Sequence, residues 1–107
     1  MMGCDNSDSL KLDGVRDDFA KDMNKIYNEL EEASKTDNPS EIINDEYDNN
    51  YSVNIFPKYF DSGNDKEQCI LAEIGMMIIY LKDNEINNYI ESKNFLFEVL
   101  QIIDDEE

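Results

Sequence analysis

Apolar residues recur at steps of three and four along the first long periodic stretch of the chain. Between Val15 and Ala33 they fall on one stripe of a helix, while acidic residues occupy the other faces. The pattern predicts an amphipathic helix that begins near Val15, with Asp13 as its N-cap residue. The polar sequence SKTDNPS ends this helix, and Pro39 is suited to be the first residue of the next one.

Two patterns overlap in the middle of the chain. A spacing of four favours a helix and is formed by Ile43, Tyr47, Tyr51 and Ile55, whereas the alternation from Tyr51 to Ile55 favours a short strand. Asp and Asn in the sequence NDEYDNN weaken both patterns, and Pro57 is expected to end regular structure. We predict a short helix at about residues 40–48, followed by an extended or irregular segment to Phe60 that includes residues 51–56.

Beyond the loop sequence DSGND, residues 65–82 are apolar on nearly all sides, which is typical of a central helix. Its densest apolar face consists of Ile70, Leu71, Ile74, Met77, Ile78 and Leu81. The sequence KDNE is a tight connection to a final helix that begins near Ile86. Two alternatives for this last element are a break near ESKN and a strand where Phe95, Phe97 and Val99 alternate.

These patterns predict a mainly α fold, a small compact bundle-like domain of three to five helices. The chain has 107 residues, of which 40% are hydrophobic, enough to bury one core. Residues 1–13 show little periodicity and are predicted to form a flexible N-terminal segment. Residues 14–107 are predicted to form a single helical domain.

The net charge is the most informative property of the sequence. The chain has 26 Asp and Glu against 9 Lys and Arg, a formal net charge of -17. The acids are spread along the chain, with 14 in residues 1–50 and 12 in residues 51–107. Solubility requires a net charge of only about 2 to 8, and a larger one destabilises the folded state by self-repulsion. A compact domain of this length is about as long as a stretch of duplex DNA that carries roughly 20 charges. The protein therefore carries a charge of the same order as the duplex that it could replace.

Several classes of function are disfavoured by composition. The chain has no His, no glycine-rich phosphate loop and no nucleophile motif, so we predict neither an enzyme nor a cofactor. The loop DSGNDKE does not fit an EF-hand, since Lys66 and Ala72 replace the required Gly and Glu. A single arginine, Arg16, disfavours direct binding of nucleic acid. The longest apolar stretch, from Cys69 to Leu81, is too short to span a membrane.

The two cysteines, Cys4 and Cys69, are predicted to be free thiols, because one lies in a polar segment and the other in an apolar helix. We predict a cytoplasmic protein. An alternative follows from the sequence MGCDNS, which resembles the end of a bacterial lipoprotein signal. If the N-terminus is truncated, Cys4 is a lipid-anchor site and the protein is a lipoprotein or adaptor.

In size, charge and helical character the chain resembles phage-encoded DNA-mimic inhibitors of restriction, repair or CRISPR enzymes, and the resemblance covers no specific motif. It implies a non-enzymatic inhibitor whose partner is a basic, nucleic-acid-binding protein. The alternative is an immunity protein that neutralises a basic toxin through acids interleaved with exposed aromatic rings. The segment from Asp45 to Asp61 offers such a patch with Tyr47, Tyr51, Tyr59 and Phe60, unless these rings are half-buried and cover the core. The candidate partner-binding residues are Asp17, Asp18, Asp22, Asp45, Glu46, Tyr47, Asp48, Tyr51, Asp61, Asp104, Asp105, Glu106 and Glu107. The last four extend the anionic surface, or else form a frayed, solvated end.

Overall fold

The regular structure in the described part of the chain is entirely helical. The computed structural model describes residues 10, 12, 14–61 and 64–106, with side chains described as far as Leu100. Its elements are α1 (Asp17–Ser34), α2 (Pro39–Glu46), a π-helical segment (Tyr47–Ile55), the one-turn helix α3 (Phe56–Tyr59), α4 (Asp65–Lys82) and α5 (Ile86–Glu106). The predicted mainly α fold is confirmed. No described helix is both long enough and apolar enough to cross a membrane.

Helix α4 is the centre of the fold, as its apolar sequence predicts. It packs against α1, α2 and α5, and five of the six predicted core residues on it are buried: Ile70, Ile74, Met77, Ile78 and Leu81. The sixth, Leu71, is only partly buried. Asn64 caps the helix, because its side-chain oxygen accepts hydrogen bonds from the backbone N–H groups of Lys66 and Glu67 at 2.8 and 3.1 Å.

Helix α1 buries the predicted stripe of Phe19, Met23, Ile26, Leu30 and Ala33. Its N-cap residue is Arg16, while the predicted cap, Asp13, lies outside the described residues. Leu10 belongs to the segment predicted to be flexible, yet it is buried in the core. Its backbone N–H donates to Asn24 Oδ1 at 2.6 Å, and Asn24 Nδ2 donates back to its carbonyl at 3.2 Å.

The prediction of an extended segment at residues 51–56 is wrong, because the chain stays helical from Pro39 to Tyr59. Four residues of an α-helix turn by about 40° more than one full rotation, so a stripe spaced by four drifts around an α-helix. In a π-helix, with its wider turn, four residues fall somewhat short of a full rotation, so this segment turns the stripe back in the opposite direction, and Tyr51 and Ile55 are both buried. Pro57 lacks an N–H group, so the π-helical ladder ends before it and α3 follows.

Helix α5 runs without a break through the sequence ESKN. Tyr89, Leu96 and Leu100 are buried, whereas Phe95 and Phe97 are exposed. These burials follow a helical period rather than an alternating one, so both alternatives considered for this element, a break and a strand, are wrong.

An ion pair between the half-exposed Arg16 and the buried Glu67 fixes the start of α1 to the start of α4. Glu67 is only 1% exposed and receives three hydrogen bonds from Arg16: from the backbone N–H at 3.0 Å, from Nε at 3.1 Å and from Nη2 at 2.9 Å. A buried carboxylate is tolerated only when its oxygens are satisfied in this way. The single arginine of the chain therefore has a structural role.

Three buried tyrosines fix acids of α1 to the elements around it. Tyr59 donates to Asp22 at 2.6 Å, Tyr51 donates to Glu29 at 2.5 Å, and Tyr89 donates to Glu31. Burial, followed by the hydrogen bond to the carboxylate, raises the pKa of each of these hydroxyls above its ordinary value near 10. Asp22, Glu29 and Glu31 are thus structural acids, whose charge is held by hydroxyl donors within the fold.

We expect the protein to lose stability steeply above pH 10. The folded state keeps the protons of Tyr51, Tyr59 and Tyr89 there, whereas the unfolded chain releases them. Their stabilisation is therefore complete below pH 10 and falls as the pH rises, by about 1.4 kcal/mol per pH unit for each such tyrosine. Urea unfolding between pH 8 and pH 11 measures this slope. Tyr51→Phe should reduce the slope, and an unchanged slope in that variant would show that Tyr51 does not contribute to it.

Candidate protein-binding surface

A stretch of acids with no Lys or Arg among them begins just before α2 and continues into the π-helical segment. Between Lys35 and Lys58 the sequence contains five acids and no Lys or Arg. We call these acids the α2 acidic face: Asp37, Glu41, Asp45, Glu46 and Asp48. Glu46 is partly exposed and the other four are exposed. A helical backbone therefore presents a continuous anionic surface to solvent.

Nothing in the described part of the chain neutralises this face. None of its five acids forms an ion pair with a described Lys or Arg. The hydrogen-bond donors that reach them are neutral amides, with Asn38 donating to Glu41 at 3.2 Å and Asn49 donating to Asp45 at 2.9 Å. Glu41 and Asp45 are one helical turn apart, and like charges at this spacing destabilise a helix by about 0.2–0.5 kcal/mol. Glu41 lies in the first turn of α2, where negative charge is locally favourable, but no ion pair with a described cation stabilises these acids.

Three cations in the described part of the chain form close ion pairs away from this face. Besides the pair between Arg16 and Glu67, Lys58 binds Asp22 at 2.7 Å and Lys93 binds Glu31 at 2.9 Å. Burial of the Asp22 carboxyl opposes ionisation, but the hydrogen bonds from Lys58 and Tyr59 outweigh it and lower the Asp22 pKa. The acids that have structural partners and those of the α2 acidic face are therefore separate sets.

A groove of about 400 Å³ lies next to this face, between α1 and α2. Its lining is mainly apolar, with Ala33 and Ile42 as the hydrophobic residues and carboxylates at its edge. The full lining consists of Asn28, Glu29, Glu32, Ala33, Thr36, Ile42 and Glu46. Glu29 is held by the Tyr51 hydroxyl, which leaves Glu32 and Glu46 as the rim acids without a tyrosine partner. Sequence periodicity did not predict this groove, because it depends on how α1 and α2 pack.

The predicted binding residues do not form one site. Asp45, Glu46, Tyr47 and Asp48 follow one another at the junction of α2 and the π-helical segment. Asp17 and Asp18 are exposed in the first turn of α1, about 20 Å along the helix axis from Glu32. Negative charge in a first helical turn is locally favourable, so these two acids have a structural explanation.

Asp22 and Asp61 belong to the same end of the molecule as Asp17 and Asp18, because the end of α3 packs against the beginning of α1. The contact consists of the bond from Tyr59 to Asp22 and an edge-to-face contact between Tyr59 and Phe19, with ring centroids 4.9 Å apart. Asp22 is engaged there, whereas Asp61 is exposed. Asp104, Asp105 and Glu106 lie in the last turn of α5, and Glu107 lies outside the described residues.

The prediction that Tyr51 contacts a partner is wrong. Its side chain is fully buried, and its hydroxyl is used by Glu29. Tyr59 is also buried, so two of the rings predicted to form an exposed aromatic patch instead support the core. The spacing of four that suggested a helix here also indicated a buried stripe, and that signal could have excluded Tyr51 from the surface.

The remaining rings of that patch border a second groove. Tyr47 is half-buried with Lys82 Nζ 4.2 Å from its ring centroid, and Phe60 is 65% exposed. Together with Phe56 and Leu71 they line a groove of about 310 Å³ between α4 and the segment that precedes it. Phe60 is the most exposed large apolar side chain among the described residues.

Among the described residues, no group of three or more Cys, Asp and Glu side chains has a geometry that could hold a metal ion. Cys69 is exposed, and its thiol is free. The candidate binding surfaces combine exposed carboxylates with two apolar grooves.

We expect neutralisation of the α2 acidic face to stabilise the protein. The substitutions Glu41→Gln, Asp45→Asn, Glu46→Gln and Asp48→Asn remove repulsion without breaking an ion pair, so the melting temperature should rise and depend less on salt. Glu31→Gln is the opposite control, because it takes the carboxylate from Tyr89 and Lys93 and should lower the melting temperature. If the fourfold variant melts below the wild-type protein at low salt, the face contributes to folding.

Comparison with protein-family models, with curated proteins and with solved structures gives no match for this chain.

Proposed function

We propose that the protein is a non-enzymatic inhibitor that binds a basic nucleic-acid-binding protein or nuclease through the α2 acidic face. In this role it is a DNA mimic, encoded by a phage or mobile element, of the anti-restriction or anti-CRISPR type. The observation that supports this most strongly is the separation of the acids into two sets. Acids that the fold uses have tyrosine, lysine or arginine partners, while those of the α2 acidic face form no ion pair with a described Lys or Arg.

Uncompensated charge of this kind is destabilising for an isolated protein but favourable for binding a cationic surface. The face is helical, so its carboxylates are held at fixed separations, with Glu41 and Asp45 about 6 Å apart along the axis. The longest dimension of the domain is 40 Å. Over 40 Å a duplex carries about 24 phosphate charges, comparable with the net charge of -17.

Affinity capture tests this proposal. The tagged protein is incubated with a lysate of bacterial host cells, and captured proteins are identified by mass spectrometry. We expect a basic protein with nucleic-acid-binding activity, whose association is fast and weakens steeply as ionic strength rises. A captured partner that is neutral or acidic, with salt-independent affinity, would contradict the proposal.

An immunity protein that neutralises a basic toxin is the second candidate, and the exposed Phe60 ring favours it. Aromatic residues, Phe included, are enriched in the cores of protein–protein interfaces, and the exposed Asp61 adjoins this ring in sequence. In this case Phe60→Ala should weaken toxin binding more than neutralisation of the α2 acidic face does. The variant that fails to bind the captured partner distinguishes the two functions.

A further inference from the structure

We propose that the groove between α1 and α2 binds an arginine side chain of the partner. This inference rests on the proposed function, because it assigns the residue type by which a basic partner is recognised. The groove has the two chemical features that an arginine side chain needs: an apolar lining for its aliphatic stem and carboxylates for its guanidinium group.

The stem packs on Ala33 and Ile42. Ile42 is 42% exposed, so its side chain is available to a ligand in the groove. Covering it with three methylene groups removes apolar surface from water without placing a charge against it. Ala33 has a small side chain and leaves the groove open between the two helices.

The guanidinium group binds Glu32 and Glu46, one carboxylate from each helix. Glu29 also lines the groove, but it already accepts the hydrogen bond of Tyr51, so it contributes charge rather than a free site. Arginine is favoured over lysine, because its planar, weakly hydrated group donates to two carboxylates at once and is less costly to desolvate.

Lys35 is a described cation that pairs with the rim acid Glu32. Its Nζ is 4.0 Å from Glu32 Oε2, and the two side chains are 66% and 81% exposed. Exposed pairs at this distance are weak, so a partner's arginine can replace Lys35. Removal of this competitor should therefore strengthen binding, an effect opposite to that of removing the rim acids.

The test uses a short peptide, acetyl-Gly-Arg-Gly-amide, and its citrulline analogue, which has nearly the same shape and no charge. Titration is followed by NMR of backbone amides and methyl groups in the full chain. We expect saturable shifts centred on Ala33, Thr36 and Ile42 with the arginine peptide, and none with the citrulline peptide. Glu32→Gln with Glu46→Gln should weaken the affinity at least about tenfold, while Lys35→Gln should increase it.

Asp45→Asn with Asp48→Asn is the matched control, because it removes the same charge from the same surface outside the groove lining. It should change the affinity less than about threefold. Equal shifts with the two peptides, equal losses in the two double variants, or shifts centred elsewhere would each overturn the arginine site. This titration needs no partner, so its failure leaves the proposed function standing. Conversely, if the titration shows arginine binding but no nucleic-acid-binding protein is captured, the arginine site stands and the proposed function does not.

Discussion

Replacement of Ile74 by alanine is expected to lower the free energy of unfolding by about 2–5 kcal/mol. Ile74 is fully buried on α4, the helix that packs against α1, α2 and α5. The substitution removes apolar contacts and leaves a cavity that the surrounding helices can only partly close. Chemical denaturation followed by circular dichroism measures the change.

Ile79→Ala is the matched control, since it deletes the same atoms from the same helix at a position that is 50% exposed. A surface substitution of this kind should change stability by about 0.5 kcal/mol or less. If the two variants lose equal stability, or if Ile74→Ala has no effect, then the assignment of which face of α4 packs in the core is wrong.

Neutralisation of the α2 acidic face is expected to weaken binding of the captured partner by about a hundredfold. The variant carries Glu41→Gln, Asp45→Asn, Glu46→Gln and Asp48→Asn. Each ion pair across a solvated interface contributes up to about 1 kcal/mol, and about 2.8 kcal/mol in total corresponds to a factor of a hundred. The loss should appear mainly at low salt, where opposite charges are least screened.

A second fourfold variant provides the control for net charge. Asp17→Asn, Asp18→Asn, Glu91→Gln and Glu98→Gln remove the same number of Asp and Glu from other exposed positions. This variant should bind much more tightly than the first, because it leaves the α2 acidic face intact. If both variants weaken binding equally, the partner responds to total charge and not to a particular face.

Periodicity and turn residues were sufficient to predict where several of the helices begin or end. Residues 65–82 were predicted as the central helix, and α4 has those bounds. Pro39 begins α2 and Ile86 begins α5, as the turn residues before them indicated. These signals are local, so they do not require knowledge of how the helices pack.

The middle of the chain was not predictable in the same way. Asp, Asn, Ser and Val between Tyr47 and Ile55 have low α-helix propensity, and their alternation resembled that of a strand. The segment is helical because its stripe can be buried with Tyr51 bonded to Glu29, a contact between residues 22 positions apart. Tertiary packing here overrides local preference, and a wider helical turn fits the four-residue spacing.

The sequence also could not separate structural acids from available ones. Glu67 appears in the sequence as one polar residue in the first turn of a helix, yet it is the buried partner of Arg16. Asp22 was a candidate for partner binding, yet it accepts hydrogen bonds from Lys58 and Tyr59. Both depend on contacts more than 30 residues apart, which a pattern of charge along the chain does not contain.

Competition with DNA is the most direct test of the proposed function. A fluorescent duplex is bound to the captured partner, and its anisotropy is followed as the protein is added, with the α2 acidic face variant in parallel. We expect the wild-type protein to displace the duplex in proportion to the complex formed, and the variant to need about a hundredfold more protein. A ternary complex, in which the partner is saturated with the protein and still holds its duplex with unchanged affinity, would contradict the proposal.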